Sequence, residues 1–211
     1  MFAVLFEVQP KSEKWDEYLG IAKLLKPELE AIDGFQENIR YRSLTRQGWL
    51  LSLSTWRDEK ALVRWRTQAV HHGAQEKGRF EVFGDYHLRV GELGSAARTD
   101  QTEVGAGTTV TLIDAKRAAD WVKDTRPEEI AASLGLRSDA GLVAWDVFDA
   151  VLTPGDVILL MTSQDQKAAD ALEQTMTLGD GARKRQVRVL RDYGMFDRRE
   201  APQYYPDVAR R

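Results

Sequence analysis

One constant offset runs through this chain and constrains its fold more than any other feature. Gly34 recurs as Gly141, Leu5 as Leu112, Gly48 as Gly155, Leu53 as Leu160 and Thr55 as Thr162, each 107 residues on. The same shift maps Asp58, Lys60 and Ala61 onto Asp165, Lys167 and Ala168, and Asp85-Tyr86 onto Asp192-Tyr193. Whatever unit the first half folds into, the second half must fold into as well. The boundaries read from the offset are 1–93 and 108–197. Between them lies "GSAARTDQTEVGAG" (94–107), small and polar as a flexible linker should be. Residues 198–211 form a C-terminal tail.

Each half reads as βαββαβ. "FAVLFEV" (2–8) is a strand, and Ser12 is placed to cap a helix from Glu13 to Ile32 whose apolar stripe is Trp15, Leu19, Leu25, Leu29 and Ile32. Pro27 should kink it. "GFQENIRYRSL" and "GWLLSLSTW" are strands joined through residues 45–48, Asp58 caps a second helix, and "RFEVFGDYHLRV" (79–90) is the last strand. In the second half Pro127 divides the first helical region and Gly135 ends it. This order is the ferredoxin-like split βαβ unit, of the α+β class. The expected architecture is two tandem ferredoxin-like units whose antiparallel sheets pack face to face.

The reason for that packing is the unit's bare sheet face. Strand alternation puts Phe35, Ile39 and Tyr41 on one side and Asn38, Arg40 and Arg42 on the other; shifted by 107, the second set becomes Trp145, Val147 and Asp149. "DVILLMT" (156–162) is apolar on both faces, and such strands are buried on both. The sheet of the first half is the economical cover. Asn38, Arg40 and Arg42 are assigned to the inter-sheet side, with Trp56 on the face of Ser52 and Ser54, and with Glu7, Asp85, His87 and Arg89. Buried charges need partners, so Glu7 or Asp85 is expected to pair with Arg40 or Arg89, or else a polar cavity forms. Tyr41 and Tyr86 fall on the helix-covered face, as core.

Composition narrows the function classes. A net charge of -3 and a pI near 5.7 give no electrostatic case for nucleic acid or an anionic membrane. With no cysteine there are no disulfides, thiolate metal sites or thiol nucleophiles. "MFAVLF" meets Glu7 too early for a signal peptide or a spanning helix, so the expected location is cytoplasmic.

The opening Gly-Phe of the second strand, then "STWRDEKALVRWRTQAVHHGAQEKGRF" and "DYHLRV", resemble the antibiotic biosynthesis monooxygenase family of the dimeric α/β-barrel superfamily. The likeness is good over 1–93 and weaker over 108–197, where the glycine, Asp-x-Lys-Ala and Asp-Tyr anchors persist without the His and Trp signals. Family members usually carry one unit per chain and pair through their sheets, so this chain resembles a fused version: a monomeric pseudo-dimer, or a homodimer of such chains. The resemblance implies an oxygenase that joins molecular oxygen to a small electron-rich substrate, aromatic or quinol-like, with no metal or flavin. It equally admits a haem-binding or haem-degrading member with His71 or His72 as axial ligand, or a non-catalytic ligand-binding or stress-associated protein.

Cofactor-free oxygenation needs a base or hydrogen-bond donor and a dry pocket. His71, Asn38 and Trp56 are the candidate catalytic set; Trp65, His72, Arg40 and His87 are candidate substrate-binding residues. His71 falls where the resemblance places the family's histidine; otherwise it only hydrogen-bonds the second helix after a break near Thr67-Gln68. His72 shares the face of Trp65 if that helix is unbroken. Trp56 and Trp65 wall a substrate or simply pack. Adjacent residues on a helix diverge by about 100°, so His71 and His72 cannot grip one metal ion. The second half has Leu178 and Gly179 where the first has the two histidines, and Ser163 in place of Trp56. One site dominated by the first half is expected. The tail either closes over it or packs on the other half.

Overall fold

The computed structural model describes residues 1–94, 109–137, 141–179 and 181–209. The expected linker lies outside these apart from Gly94. The strands are β1 (Phe2–Pro10), β2 (Phe35–Ser43), β3 (Leu50–Trp56), β4 (Phe83–Leu93), β5 (Thr109–Lys116), β6 (Leu142–Ala150), β7 (Asp156–Ser163) and β8 (Arg183–Gly194). The helices are α1 (Trp15–Glu30), α2 (Glu59–Thr67), α3 (Ala69–Lys77), α4 (Ala119–Asp124), α5 (Pro127–Ser133) and α6 (Gln166–Thr175). This is the ferredoxin-like α+β order. No helix among the described residues is long and apolar enough to cross a membrane.

Two compact units emerge. The first comprises Met1–Ile39, Gly48–Val90 and Arg191–Arg211; the second comprises Arg40–Gln47 and Gly91–Leu190. In the first, the strands run β4-β1-β3-β2, with β1 antiparallel to β3 in the register Phe2↔Trp56 to Val8↔Leu50. In the second, they run β8-β5-β7-β6. The second sheet continues at its edge onto the end of β2, through Tyr41↔Ala150 and Arg42↔Asp149.

The recurrent residues have recurrent jobs. Gly34 has φ +93° and a Cβ there would lie 2.7 Å from that of Ala61; Gly141 has φ +97° and the distance to Ala168 is 2.6 Å. The Asp58 carboxylate accepts the Ala61 N–H at 2.8 Å, and Asp165 accepts that of Ala168 at 2.8 Å. The Gly34 carbonyl accepts Arg57 N–H, and the Gly141 carbonyl accepts Gln164 N–H, both at 2.8 Å. A capped helix start is thus pressed onto a side-chain-free turn at both places. The N-terminal helix departs from expectation: Ser12 bonds Glu13 within a short 3-10 turn and caps nothing, and α1 starts at Trp15. Pro127 and Gly135 act as read, the first opening α5 and the second holding φ +101° just past its end.

The assignment of sheet faces needs correction. In the first unit the face of β1 carrying Phe2, Val4, Phe6 and Val8 packs with residues of α1 and α2. Register puts Trp56, Ser54, Ser52 and Leu50 opposite those four residues. Trp56 is therefore inside the helix-packed core, fully buried with Leu29, Ala61, Leu62 and Trp65. Asn38, hydrogen-bonded to Ser52, shares that face. In the second unit Trp145 and Val147 pack with Ile130 and Leu172 of the helices, so Asp149 and its partner Arg42 are on that helical side, as is Arg40 by alternation. Tyr41, buried as expected, faces the other way. Alternation separated Asn38, Arg40 and Arg42 from Tyr41 but attached the wrong set to the helices, because polarity does not identify the covered face, and it misplaced Phe35, whose ring packs on Trp56 at 5.4 Å in the helix-covered cluster.

Glu7 and Arg89 form the buried ion pair expected on the face away from the helices. Val157 to Met161 are buried on both faces, again as read.

Gly34→Ala should destabilise the fold: the left-handed backbone alone costs about 1–2 kcal/mol, and the methyl collides with Ala61. Urea unfolding should show the midpoint falling while the m-value holds. Gly34→Ala combined with Ala61→Gly should recover the collision component only.

Candidate active site

α2 is capped by Asp58 and turns Ala61, Leu62 and Trp65 inward before ending at Thr67. Gln68 then adopts an extended backbone, φ −64° and ψ 132°. Its side-chain carbonyl accepts His71 N–H at 2.8 Å and so starts α3, while its own N–H donates to the Trp65 carbonyl at 3.2 Å. This break rephases the chain. His71, not His72, comes back over Trp65, the two rings stacked with centroids 4.0 Å apart and planes 12° apart.

His71 Nδ1 lies 2.9 Å from the Trp65 carbonyl. A carbonyl can only accept, so Nδ1 carries the proton and Nε2 presents its lone pair. Burial pushes the imidazole down to about 4, with the Trp65 carbonyl opposing and His72 assisting. At neutral pH His71 is an uncharged ring with one basic nitrogen held in fixed orientation.

Beneath the helices, Asn38 Nδ2 donates to Ser52 Oγ at 2.8 Å and Trp56 Nε1 donates to Ser54 Oγ at 2.9 Å. On β3 these two hydroxyls fall between Leu50, which packs with Val8, Tyr18 and Tyr86, and Trp56, which packs with Trp65. The floor of the first unit is thus a short polar row flanked by two apolar clusters. Asn38, Trp56, Trp65 and His71 all belong to this helix-covered side.

The other three predicted residues do not join them. His72 is exposed, its ring 5.7 Å from that of Tyr205 and its Nδ1 3.1 Å from the Tyr205 hydroxyl. His87 lies on the opposite face, with Nε2 2.5 Å from Asp192 and Nδ1 3.7 Å from Glu7. Arg40 is part of the second unit, and its Nε is buried without a hydrogen-bond partner.

Sequence reasoning missed a group built by the tail. Arg79, 2% exposed, donates to the carbonyls of Met195 at 2.8 Å and Pro206 at 3.1 Å and contacts the Tyr86 hydroxyl at 3.3 Å. Arg198 donates to the same hydroxyl at 2.5 Å and to the Gln203 carbonyl at 2.8 Å. Its guanidinium also lies over Tyr193 and Tyr205, 5.6 and 5.2 Å from their centroids. The tail, which follows the second half, thus packs on residues of the first, with Val208 and the preceding Phe196 against the cluster of Val8 and Tyr86. Burial pushes the Tyr193 phenol up to about 12. Only the aromatic content of the tail signalled this arrangement in the sequence.

A ferredoxin-like sheet with helices over a polar-floored aromatic core defines the class of fold, and comparison with known proteins supplies the family. The profile described as antibiotic biosynthesis monooxygenase matches residues 1–77. A protein named jasmonate monooxygenase ABM, from Pyricularia oryzae, is 48% identical over 226 aligned residues, covering 99% of this chain and 100% of the relative. The chain belongs to the antibiotic biosynthesis monooxygenase family, and both matches support a monooxygenase. Among solved structures, an aldoxime dehydratase in complex with butyraldoxime has a TM-score of 0.53 at 8% identity, over 89% of this chain and 79% of that one, a likeness of fold alone. An anthrone oxidase-like protein aligns over 96% of each chain at 14% identity, with a TM-score of 0.35.

His71 should titrate near pH 4 in NMR spectra of the folded protein. The folded value is below the ordinary 6.5, so its contribution to stability is complete above pH 6.5, declines as pH falls towards 4 and levels off below. The loss is on the order of 3 kcal/mol. In His71→Gln, denaturant titrations across that window should lose this component of the slope.

Proposed function

We propose that this protein is a monooxygenase acting on jasmonate or a closely related small molecule, with the chemistry on the helix-covered side of the first unit. The observation that carries this reading is the relative's 48% identity over its whole length. A match of that extent includes both halves and the tail, where a shared fold alone would not.

The residues present suit the work such a site must do. His71 Nε2, left as an acceptor because its Nδ1–H is committed to the Trp65 carbonyl, receives a hydrogen bond from a substrate hydroxyl or a reduced oxygen species and holds it in place. Asn38 and Ser52 hold each other in place and orient a substrate oxygen. Trp56 and Trp65 shield the site from water and confine the substrate, so that oxygen meets it in a low-dielectric space. We read the reaction as needing neither metal nor flavin, with molecular oxygen as co-substrate: an acidic CH2 of the substrate becomes a carbonyl, one oxygen atom enters it and the other leaves as water, and the CH2 supplies all four electrons. The relative's name favours jasmonate over the aromatic or quinol-like substrate expected from the broader resemblance.

Purified protein incubated with jasmonate under ¹⁸O₂ should yield a product carrying one labelled oxygen, detected by mass spectrometry. His71→Ala should lower the rate by about 10²–10⁴-fold, whereas His87→Ala should leave it within a few fold. Treatment with a chelator should change nothing. A Soret band on haemin titration that disappears in His71→Ala would instead establish the haem-dependent reading, and product lacking label would sink the oxygenase reading altogether.

A further inference from the structure

In the first unit the guanidinium groups of Arg79 and Arg198 meet at the Tyr86 hydroxyl, to which both donate, and among the described residues neither makes an ion pair with a carboxylate. Arg66 approaches from the end of α2: its main-chain carbonyl accepts from Gln203 Nε2 at 3.5 Å, and its half-buried side chain carries a buried Nε with no partner. Among the described residues, no nearby acid forms an ion pair with these arginines. Asp197 pairs with Arg199, Glu200 accepts the Asp192 N–H, and Glu76, beside Tyr205, is exposed.

The other arginine buried to the same depth is paired: Arg89 has Glu7. The part-buried Arg185 has Asp114 at 2.5 Å. Arg79 is as deeply buried as Arg89 and has only neutral acceptors, two carbonyls and a phenol. Its Nε, like that of Arg66, is a buried donor with no partner. Burying a charge against dipoles alone is costly, and an unfilled donor adds to the cost. Such an arrangement is what an anion site looks like, since guanidinium forks match a carboxylate in shape as well as in charge.

What adjoins the arginines narrows the ligand further. Tyr86 belongs to the aromatic and aliphatic cluster of Phe6, Tyr18, Phe83 and Phe196. Phe80 and Tyr205 close the other side with ring centroids 6.5 Å apart. Cationic groups at the rim of an apolar cluster suit a molecule with one acidic end and one hydrocarbon end.

We propose that Arg79, Arg198 and Arg66, arranged around Tyr86 and Tyr193 beneath the C-terminal segment, bind the carboxylate of an apolar carboxylic acid, whose hydrocarbon part lies along the adjoining aromatic cluster. The tail carbonyls of Met195 and Pro206 hold Arg79 in position, and the carboxylate adds the missing charge. This deepens the functional reading by assigning the end of the substrate that is bound, not the end that reacts.

Isothermal titration calorimetry tests it, with jasmonic acid, methyl jasmonate, decanoate and methyl decanoate as probes, so that binding is read independently of turnover. Each acid should bind at least about tenfold more tightly than its ester, the value of one charge-assisted hydrogen bond. Arg198→Met and Arg66→Met, at half-buried positions where the fold should survive, should abolish that preference while ester binding persists; circular dichroism checks the fold. Arg198→Lys should restore part of it. Equal affinity for acid and ester, or a preference unchanged in both Met variants, overturns the proposal. Discrimination for decanoate without any binding of jasmonic acid would uphold the carboxylate site and remove jasmonate as substrate, which separates failure of this inference from failure of the functional one.

Discussion

The contact on which the first unit depends is the one between Gly34 and Ala61, closed by the Asp58 cap. A helix start can approach a sheet this closely only if the turn opposite lacks a side chain, and Gly34 meets that condition with a backbone that other residues adopt at a cost. Once Ala61 is pinned, helical periodicity sends Leu62 and Trp65 inward and fixes where α2 ends. Gln68 then does two things at once: it stops α2 by going extended and starts α3 by capping it. The stacking of His71 on Trp65 follows from that sequence of constraints. The second unit repeats the first step at Gly141, Asp165 and Ala168, but α6 runs to Thr175, and Met176 to Gly179 just after it include no aromatic residue or histidine.

Much of this was legible beforehand, for identifiable reasons. Caps and left-handed glycines are local, so Asp58, Asp165, Gly34 and Gly141 could be read from their neighbours. The strand order followed from element order alone, since the split βαβ unit leaves little topological choice. The Glu7–Arg89 pair was legible because two charges on buried strands must find each other. Ser12 shows the limit of such readings: a capping residue type was present, but the chain took a 3-10 turn first and the helix began beyond its reach.

The candidate site was harder to read. Period-two alternation assigns residues to two faces but cannot say which face the helices cover. Here the covered face holds Asn38, Ser52 and Ser54 beside Trp56, so polarity pointed the wrong way. The choice between His71 and His72 turned on a single extended residue, Gln68, which reverses the outcome expected of an unbroken helix. Arg79 had no local signal at all. The sequence places it at the start of the expected last strand, and what buries it comes from Met195 and Pro206, 116 and 127 residues further on. Long-range burial of a charge is the kind of fact that spacing cannot carry.

The difference between the halves is itself informative about where binding energy resides. Ser163 stands where the offset would place a second Trp56, and Thr111 where it would place Val4; both are almost completely buried, and their hydroxyls lack hydrogen-bond partners. The second unit thus gave up an aromatic wall for small polar groups that contribute little packing, and it has no tail of its own across its helices among the described residues. The first unit kept its tryptophans and acquired, in the tail, two tyrosines and Arg198. A structural repeat needs neither a stacked neutral histidine nor a fully buried guanidinium held by neutral acceptors alone, and both lower stability unless something binds to them. Their presence on the unit that keeps the tryptophans is what an asymmetric binding site requires: one floor, one histidine and one charged end, with the other unit free to drift so long as its glycine turn and capped helix still hold.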